Sequence, residues 1–260
     1  MLERFQKRSD ELEHLDKGDY TAEEYEGCIK ELQRINKYLG DARALRRSLF
    51  KDIERSRLKR FSALDVGAGS GELLRLTADW ARKSGRRARL AGLEINARSA
   101  RAILEESQEF AGTINSILGD ALRMPLANES FDYVICSLFA HHFEEDQVVA
   151  VLRELSRVAR CRIFVIDLHR HPLAYYLYIT VGRLFLRNRL VREDGALSIL
   201  RGFRPDELHQ LARRAGLANI SVQRRFPFRL VLSGHKERRV DEATPQMRRE
   251  EAPEVAAVIG

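Results

Sequence analysis

The chain has 260 residues and a formal net charge of +7, with 44% hydrophobic and 32% charged residues and only 16 Gly and 6 Pro. That length favours one elaborated domain over two independent ones, and that composition excludes collagen-like, low-complexity and wholly disordered classes. Three cysteines without CxxC spacing, Cys28, Cys136 and Cys161, indicate neither a disulfide framework nor a zinc knuckle. The opening MLERFQKRSDELEHLDK carries charge throughout, and no stretch approaches about 18 uninterrupted apolar residues, so a cytoplasmic protein is expected.

Residues 1–58 read as a helical arm. Leu12, Leu15, Tyr25, Cys28, Ile29, Leu32, Ile35 and Leu39 recur at three- and four-residue steps, and Thr21 to Glu24 forms a capping box. Tyr20, Tyr25 and Asn36 of this arm are candidates for a lid over a ligand, with plain helix packing as the equal alternative. From Phe61 the pattern changes to short apolar runs alternating with helical segments, the signature of a parallel sheet. Strands are expected at 61–66, 88–94, 114–118, 131–137 and 161–166, with helices near 71–83, 96–109 and 145–158. A long helix over 172–190 and another at 205–215 follow, then strands at 219–224 and 226–233 either side of a turn at Pro227. The unit 59–237 thus has an insertion over about 170–204, and the tail from 238 reads as a flexible terminus.

Strand 61–66 ends in Asp65-Val66-Gly67-Ala68-Gly69-Ser70-Gly71, a run whose glycines let the backbone turn sharply and approach a ligand before a helix begins. A dinucleotide fingerprint needs a further glycine where Glu72 stands, and the carboxylates here would repel a pyrophosphate. S-adenosylmethionine (SAM) suits the loop better. Its ammonium calls for carboxylates, and its carboxylate calls for backbone N–H groups at a helix N-terminus. Glu94, 23 residues beyond Gly71, stands at the next strand end, where a carboxylate accepts from two ribose hydroxyls; Asp120 and Ala121 follow the third strand, facing an adenine amine.

With LDVGAGSGELL, GLEINARSARAI, GDALRMPLANESFDYVICSLFAHHF and LRELSRVARCRIFVIDL, residues of about 60 to 235 resemble the class I SAM-dependent methyltransferases, of the small-molecule kind found in quinone and natural-product biosynthesis. The resemblance implies an α/β Rossmann-like sheet of seven strands, order 3-2-1-4-5-7-6 with strand 7 antiparallel, and S-adenosylhomocysteine (SAH) as product. It implies that Asp65, Gly67, Gly69 and Gly71 line the methionine moiety, Glu94 the ribose, and Asp120 with Ala121 the adenine; Ala68, Ile95 and Ser137 complete the cofactor set.

Strand four runs into Leu138-Phe139-Ala140-His141-His142-Phe143, and strand five ends at Asp167, so an imidazole and a carboxylate meet at adjacent strand ends. Asp167 would orient one histidine, His141 being preferred over His142, and that histidine would take the proton of an acceptor hydroxyl. His169 and His171 raise the question of a metal with His142 and Asp167, but strand four ends in Ser137 where magnesium-dependent catechol-type relatives place carboxylates, and no metal is expected. Arg201 and Tyr175 are candidate acceptor-binding residues, as is Tyr20. Residues 170–240 hold 15 Lys or Arg against 5 Asp or Glu, so the basic character is regional. The acceptor expected is a small phenolic, polyketide-like or quinone-related molecule. Peripheral membrane contact through the basic end of helix 172–190 is the partner expected beyond it. RNA is the alternative acceptor, and it lacks support from any visible RNA-binding module.

Overall fold

The computed structural model describes residues 3–21, 23–25, 27–28, 31 and 40–236. Seven strands pair in one sheet: β1 (Arg60–Val66), β2 (Arg87–Glu94), β3 (Ile114–Leu118), β4 (Phe131–Ser137), β5 (Ala159–Leu168), β6 (Leu217–Arg225) and β7 (Arg229–Lys236). Their order is β3-β2-β1-β4-β5-β7-β6, with β7 antiparallel to both β5 and β6 and the other pairs parallel, as the resemblance implied.

Alternation along the central strands builds a core on each face of this sheet. In β4, Val134 and Cys136 point to one side, against Val148, Leu152 and Leu155 of α5 (Glu145–Val158) and Leu208 and Leu211 of α8 (Pro205–Arg214). Tyr133 and Ile135 point to the other side. They meet Leu74 and Ala78 of α3 (Glu72–Lys83) and a helix, α2, that runs from Asp41–Leu45 through the π-turn Arg46–Phe50 to Lys51–Arg55. The α5 positions recur at helical spacing, and each buried aliphatic side chain of this kind contributes roughly 1.5–3 kcal/mol. Helix α4 (Ala97–Glu106) starts at Asn96, whose side chain accepts from the Arg98 N–H.

The arm is described in part. Its expected capping box forms, the Thr21 N–H donating to Glu24 Oε2 at 3.0 Å and the Glu24 N–H to Thr21 Oγ1 at 3.1 Å. Helix α1 (His14–Lys17) is capped from afar, Asp194 accepting from the His14 and Leu15 N–H groups at 2.8 and 3.1 Å. Asn36 and the tail from residue 238 lie outside the described residues.

Two expectations are corrected. The helix over 172–190 is not continuous: α6 (Pro172–Leu177) passes through the π-turn Tyr178–Gly182 to Arg183–Phe185 and stops. A new helix, α7 (Arg189–Arg201), begins because Asn188 caps it, accepting from Leu190 and Val191 N–H at 2.9 and 3.4 Å, while the Glu31 carboxylate takes the Arg187 and Asn188 N–H groups. Within the expected insertion over about 170–204, Arg189–Arg201 are therefore helix. Gly195 sits inside α7 where any Cβ would overlap the Tyr178 phenol, so a residue that costs helix propensity is what lets α6 and α7 pack. The last strand also begins later than expected, at Arg229, because Phe226, Pro227 and Phe228 make the turn.

Candidate functional site

The loop between β1 and α3 is the tightest turn at the site. Gly67, Gly69 and Gly71 all have positive φ, of 70°, 57° and 83°. At Gly67 a Cβ would also overlap the ring of Phe139, so both backbone and space demand glycine there. Glu94, at the end of β2, accepts the Gly69 N–H at 2.5 Å. Asp65 is buried in the strand beneath, and its Oδ1 has no hydrogen-bond partner. Burial, and next the neighbouring Glu94, push the Asp65 carboxyl up to about 8; burial also raises Glu94, against the hydrogen bonds from Gly69 and Ile95.

Two carboxyls held near each other, one of them an orphan, want a cationic or hydroxyl-rich ligand. Ala68 lies in the same turn, and the exposed Ile95 follows Glu94 with its apolar side chain in the open, as a surface on which a flat ring would rest. Asp120 is exposed, its Oδ1 accepting from Leu122 N–H at 2.9 Å, and Ala121 is buried behind it. Ser137, half-buried, ends β4, next to β1 in the sheet. The structure brings all the expected cofactor residues to one edge of the sheet, the carboxyl ends of β1, β2, β3 and β4.

At the next strand ends the register pairs Ser137 with Ile166, which puts Asp167 beside the turn Ala140–His142. His141 Nδ1 lies 2.6 Å from Asp167 Oδ1, and Asp167 Oδ2 accepts the His141 backbone N–H at 3.2 Å. Burial works to raise the Asp167 carboxyl, but His141 and the Leu168 N–H prevail and hold it below its ordinary value. An ionised Asp167 keeps the proton of a neutral His141 on Nδ1 and leaves Nε2 as an acceptor. His142, more open, has Nδ1 3.3 Å from Asp16 Oδ1.

Both histidines line a cavity of about 490 Å³, a volume in the range of small-ligand sites. Its walls are largely aliphatic: Leu15, Leu138, Leu168, Leu177, Val181 and Leu190 among them, with Tyr178 and Phe228. His169 is also in the wall, its imidazole kept neutral down to about 4, first by burial and then by His171 and nearby arginines.

Three candidate acceptor residues stand elsewhere than expected. Arg201 is neither in a loop nor exposed. It ends α7, buried, and donates from Nε to the His141 carbonyl (3.1 Å), from Nη2 to that of His142 (2.6 Å) and from Nη1 to that of Glu11 (2.6 Å). With Arg8, which donates to the His141 and Phe143 carbonyls, it holds the histidine turn in place. Tyr175 packs on Phe5 and accepts from Arg4 outside the cavity wall, which takes Tyr178 from the next turn instead. Tyr20 stacks on Tyr25 and packs against the cluster of Cys28, Leu190 and Val191. His169 and His171 face each other, their ring centroids 5.3 Å apart.

Sequence reasoning missed Glu13. It is 2% exposed, reaches the cavity from the arm, and accepts from Ser198 Oγ at 2.7 Å. Its Oε1 is 3.9 Å from His141 Nε2 and its Oε2 3.9 Å from His142 Nδ1. Burial raises its pKa, opposed by His142 and Ser198. One acid among several in a charged segment carried no signal for this placement.

Residues 63–161 match the family model described as "Methyltransferase domain". A curated relative, demethylmenaquinone methyltransferase of Roseiflexus sp. (strain RS-1), is 28% identical over 173 residues, which span 62% of this chain and 69% of that protein. Among solved structures, a SAM-dependent methyltransferase from Aquifex aeolicus aligns with a TM-score of 0.54 at 16% identity, covering 78% of this chain and 96% of that one. Human N-acetylserotonin methyltransferase in complex with SAM aligns with a TM-score of 0.59 at 18% identity, covering 86% of this chain and 62% of that one. These two share the fold.

Proposed function

We propose that this chain is a class I methyltransferase that carries out SAM-dependent methylation of a hydroxyl on a small, aromatic, largely apolar acceptor, with His141 as the proton acceptor; the methyltransferase-domain match and the strand order support it. When bound, SAM supplies a sulfonium-activated methyl group and leaves as SAH. The orphaned Asp65 and the glycine turn fit its amino acid end, Glu94 its ribose, and Asp120 with Ala121 its adenine.

The observation that carries the acceptor half is the buried Asp167–His141 pair facing an apolar cavity. A phenol, pKa about 10, gives up its proton at neutral pH only to a positioned base, and His141 Nε2 is free to receive it. As the acceptor oxygen took the methyl group, its proton would pass to His141 Nε2, with Asp167 as counter-charge. Aliphatic walls exclude competing water, and holding the partners in line can supply roughly 7–11 kcal/mol at best. The name of the Roseiflexus relative supports a quinone-related acceptor.

With a panel of alkylated phenols and hydroquinones as acceptors, wild type should release SAH. His141→Gln should lower kcat by about 10² to 10⁴ while SAH affinity by calorimetry stays within twofold. Normal turnover in that variant would remove the base from the mechanism.

The partner surface follows from the same cavity. Leu177 and Val181 line it and are also open to solvent, continuing outward to Leu184 and Phe185, which are 81% and 75% exposed, with the exposed Arg187 and Arg192 alongside. No described helix is long and apolar enough to cross a membrane. An apolar patch beside arginines instead suits the interface of an anionic bilayer, which would deliver a lipophilic acceptor at the cavity mouth. Flotation with vesicles of phosphatidylglycerol and phosphatidylcholine should carry the protein, and Leu184→Ser with Phe185→Ser should abolish it; recovery of the double variant with the vesicles would discard this surface.

A further inference from the structure

Glu13, His141 and His142 offer three ligand atoms that all lie within 4.8 Å of one another at the polar end of the cavity. We propose that they form a binding site for a divalent transition ion of the zinc class, and that its occupancy silences the enzyme by taking the Nε2 lone pair of His141.

Four features build the site. First, the donor set is two imidazoles and a carboxylate, which suits zinc, cobalt or iron and disfavours magnesium and calcium, whose sites are all oxygen. Second, the ligands are already oriented from behind. His141 hands its Nδ1 to Asp167 at 2.6 Å, the carboxylate–histidine relay common behind metal-bound imidazoles, and Ser198 Oγ fixes Glu13 at 2.7 Å. Third, the spacing is near that of a bound ion. The two 3.9 Å separations run from different Glu13 oxygens and the three ligand atoms lie within 4.8 Å of one another, against about 3.4 Å between neighbouring ligands of a tetrahedral zinc site, so a closure of roughly an ångström completes it. The three ligands leave a fourth position for water.

Fourth, the charge is unbalanced. Four carboxylates surround the cluster, those of Glu13, Asp16, Asp167 and Asp194. The guanidiniums nearest them are those of Arg8, Arg170 and Arg201; Arg8 and Arg201 place their hydrogen bonds on backbone carbonyls, and Arg201 Nη1 also lies 3.4 Å from Asp16 Oδ2. Carboxylates outnumber guanidiniums around the cluster, a surplus that suits a divalent cation. Burying carboxylates without such compensation is costly. Binding forms a coordination bond to each of the three ligands, releases any proton held on Glu13 or on the ligating imidazole nitrogens, and exchanges the His142 Nδ1–Asp16 contact for the metal.

Metal capture stands on this geometry alone; the silencing rests also on His141 being the base. The full chain, stripped with EDTA, is titrated with Co²⁺. A 1:1 complex with visible d–d bands, displaced by Zn²⁺, is expected. Glu13→Gln and the more exposed His142→Ala should each weaken Co²⁺ binding at least tenfold, with SAH affinity and melting temperature as controls for folding. Zn²⁺ should suppress wild-type turnover, and EDTA should restore it. Absence of the bands, or unchanged Co²⁺ affinity in both variants, overturns the site. A chain that binds Co²⁺ but methylates nothing leaves the site standing and sinks the acceptor chemistry, whereas an active chain blind to Co²⁺ does the reverse.

Discussion

The two halves of the cleft are put together by different means. The cofactor side is local: from Asp65 to Gly71 the residues are consecutive, and Glu94 joins them through the β1–β2 register, which pairs Asp65 with Gly92 and Val66 with Leu93. The acceptor side gathers Glu13 from the arm, His141 from the β4 turn, Asp167 from β5, Tyr178 and Ser198 from the helices that follow, and Phe228 from the β6–β7 turn. A local site depends on backbone conformation at a few glycines. A dispersed one depends on long-range hydrogen bonds that keep its contributors together, and it should yield more gradually when one of them is lost.

The sharpest way to break that contrast is at Gly67. Gly67→Ala asks for a left-handed non-glycine residue and drives a methyl group into Phe139. The combined cost is about 2–4 kcal/mol of stability, and SAH affinity should fall at least tenfold, read by urea unfolding and calorimetry. A variant that keeps wild-type affinity would show that the turn does not need its glycine.

The same contrast decides what was legible in sequence. The glycine turn, Glu94 and the strand order could be read because each leaves a mark within a few residues or in the alternation of apolar runs. His141 and Asp167 were found because adjacent parallel strands must end side by side. Glu13 and Tyr178 were not, because nothing in the arm or in α6 records which turn will face the cavity. Arg201 was misplaced for a related reason: Gly195 and Ser198 weaken the helical signal of α7, and only the tertiary contacts of Asp194, Gly195 and Tyr178 show why the helix forms there.

Arg201 now tests the acceptor half. Arg201→Lys keeps a charge but loses the fork that serves three carbonyls, leaving buried acceptors in the histidine turn short of donors. A loss of roughly 1–3 kcal/mol in stability is expected, with kcat falling about tenfold and SAH affinity staying within twofold. Equal damage to both halves would mean that the two are not built independently.

The subtlest effect on the fold itself is a proton count on the cofactor side. In the ligand-free fold the Asp65 carboxyl titrates at about 8, against 3.8 ordinarily, so at pH 7 it is mostly protonated. A folded-state value above the unfolded one gives a stability contribution present in full below pH 3.8 and lost as the pH rises through 8. An ammonium placed beside Asp65 favours the charged form and reverses this preference, so binding should expel up to one proton. The apparent enthalpy of SAH binding at pH 7 should therefore differ between phosphate and Tris buffers in proportion to their ionisation enthalpies, and affinity should rise from pH 6 to pH 8, by up to about tenfold per pH unit if a full proton is expelled. Asp65→Asn should show neither dependence. If wild type binds with the same enthalpy in both buffers, the orphaned carboxyl does not meet the amino acid end of the ligand, and the ammonium must be held by backbone carbonyls of the glycine turn instead.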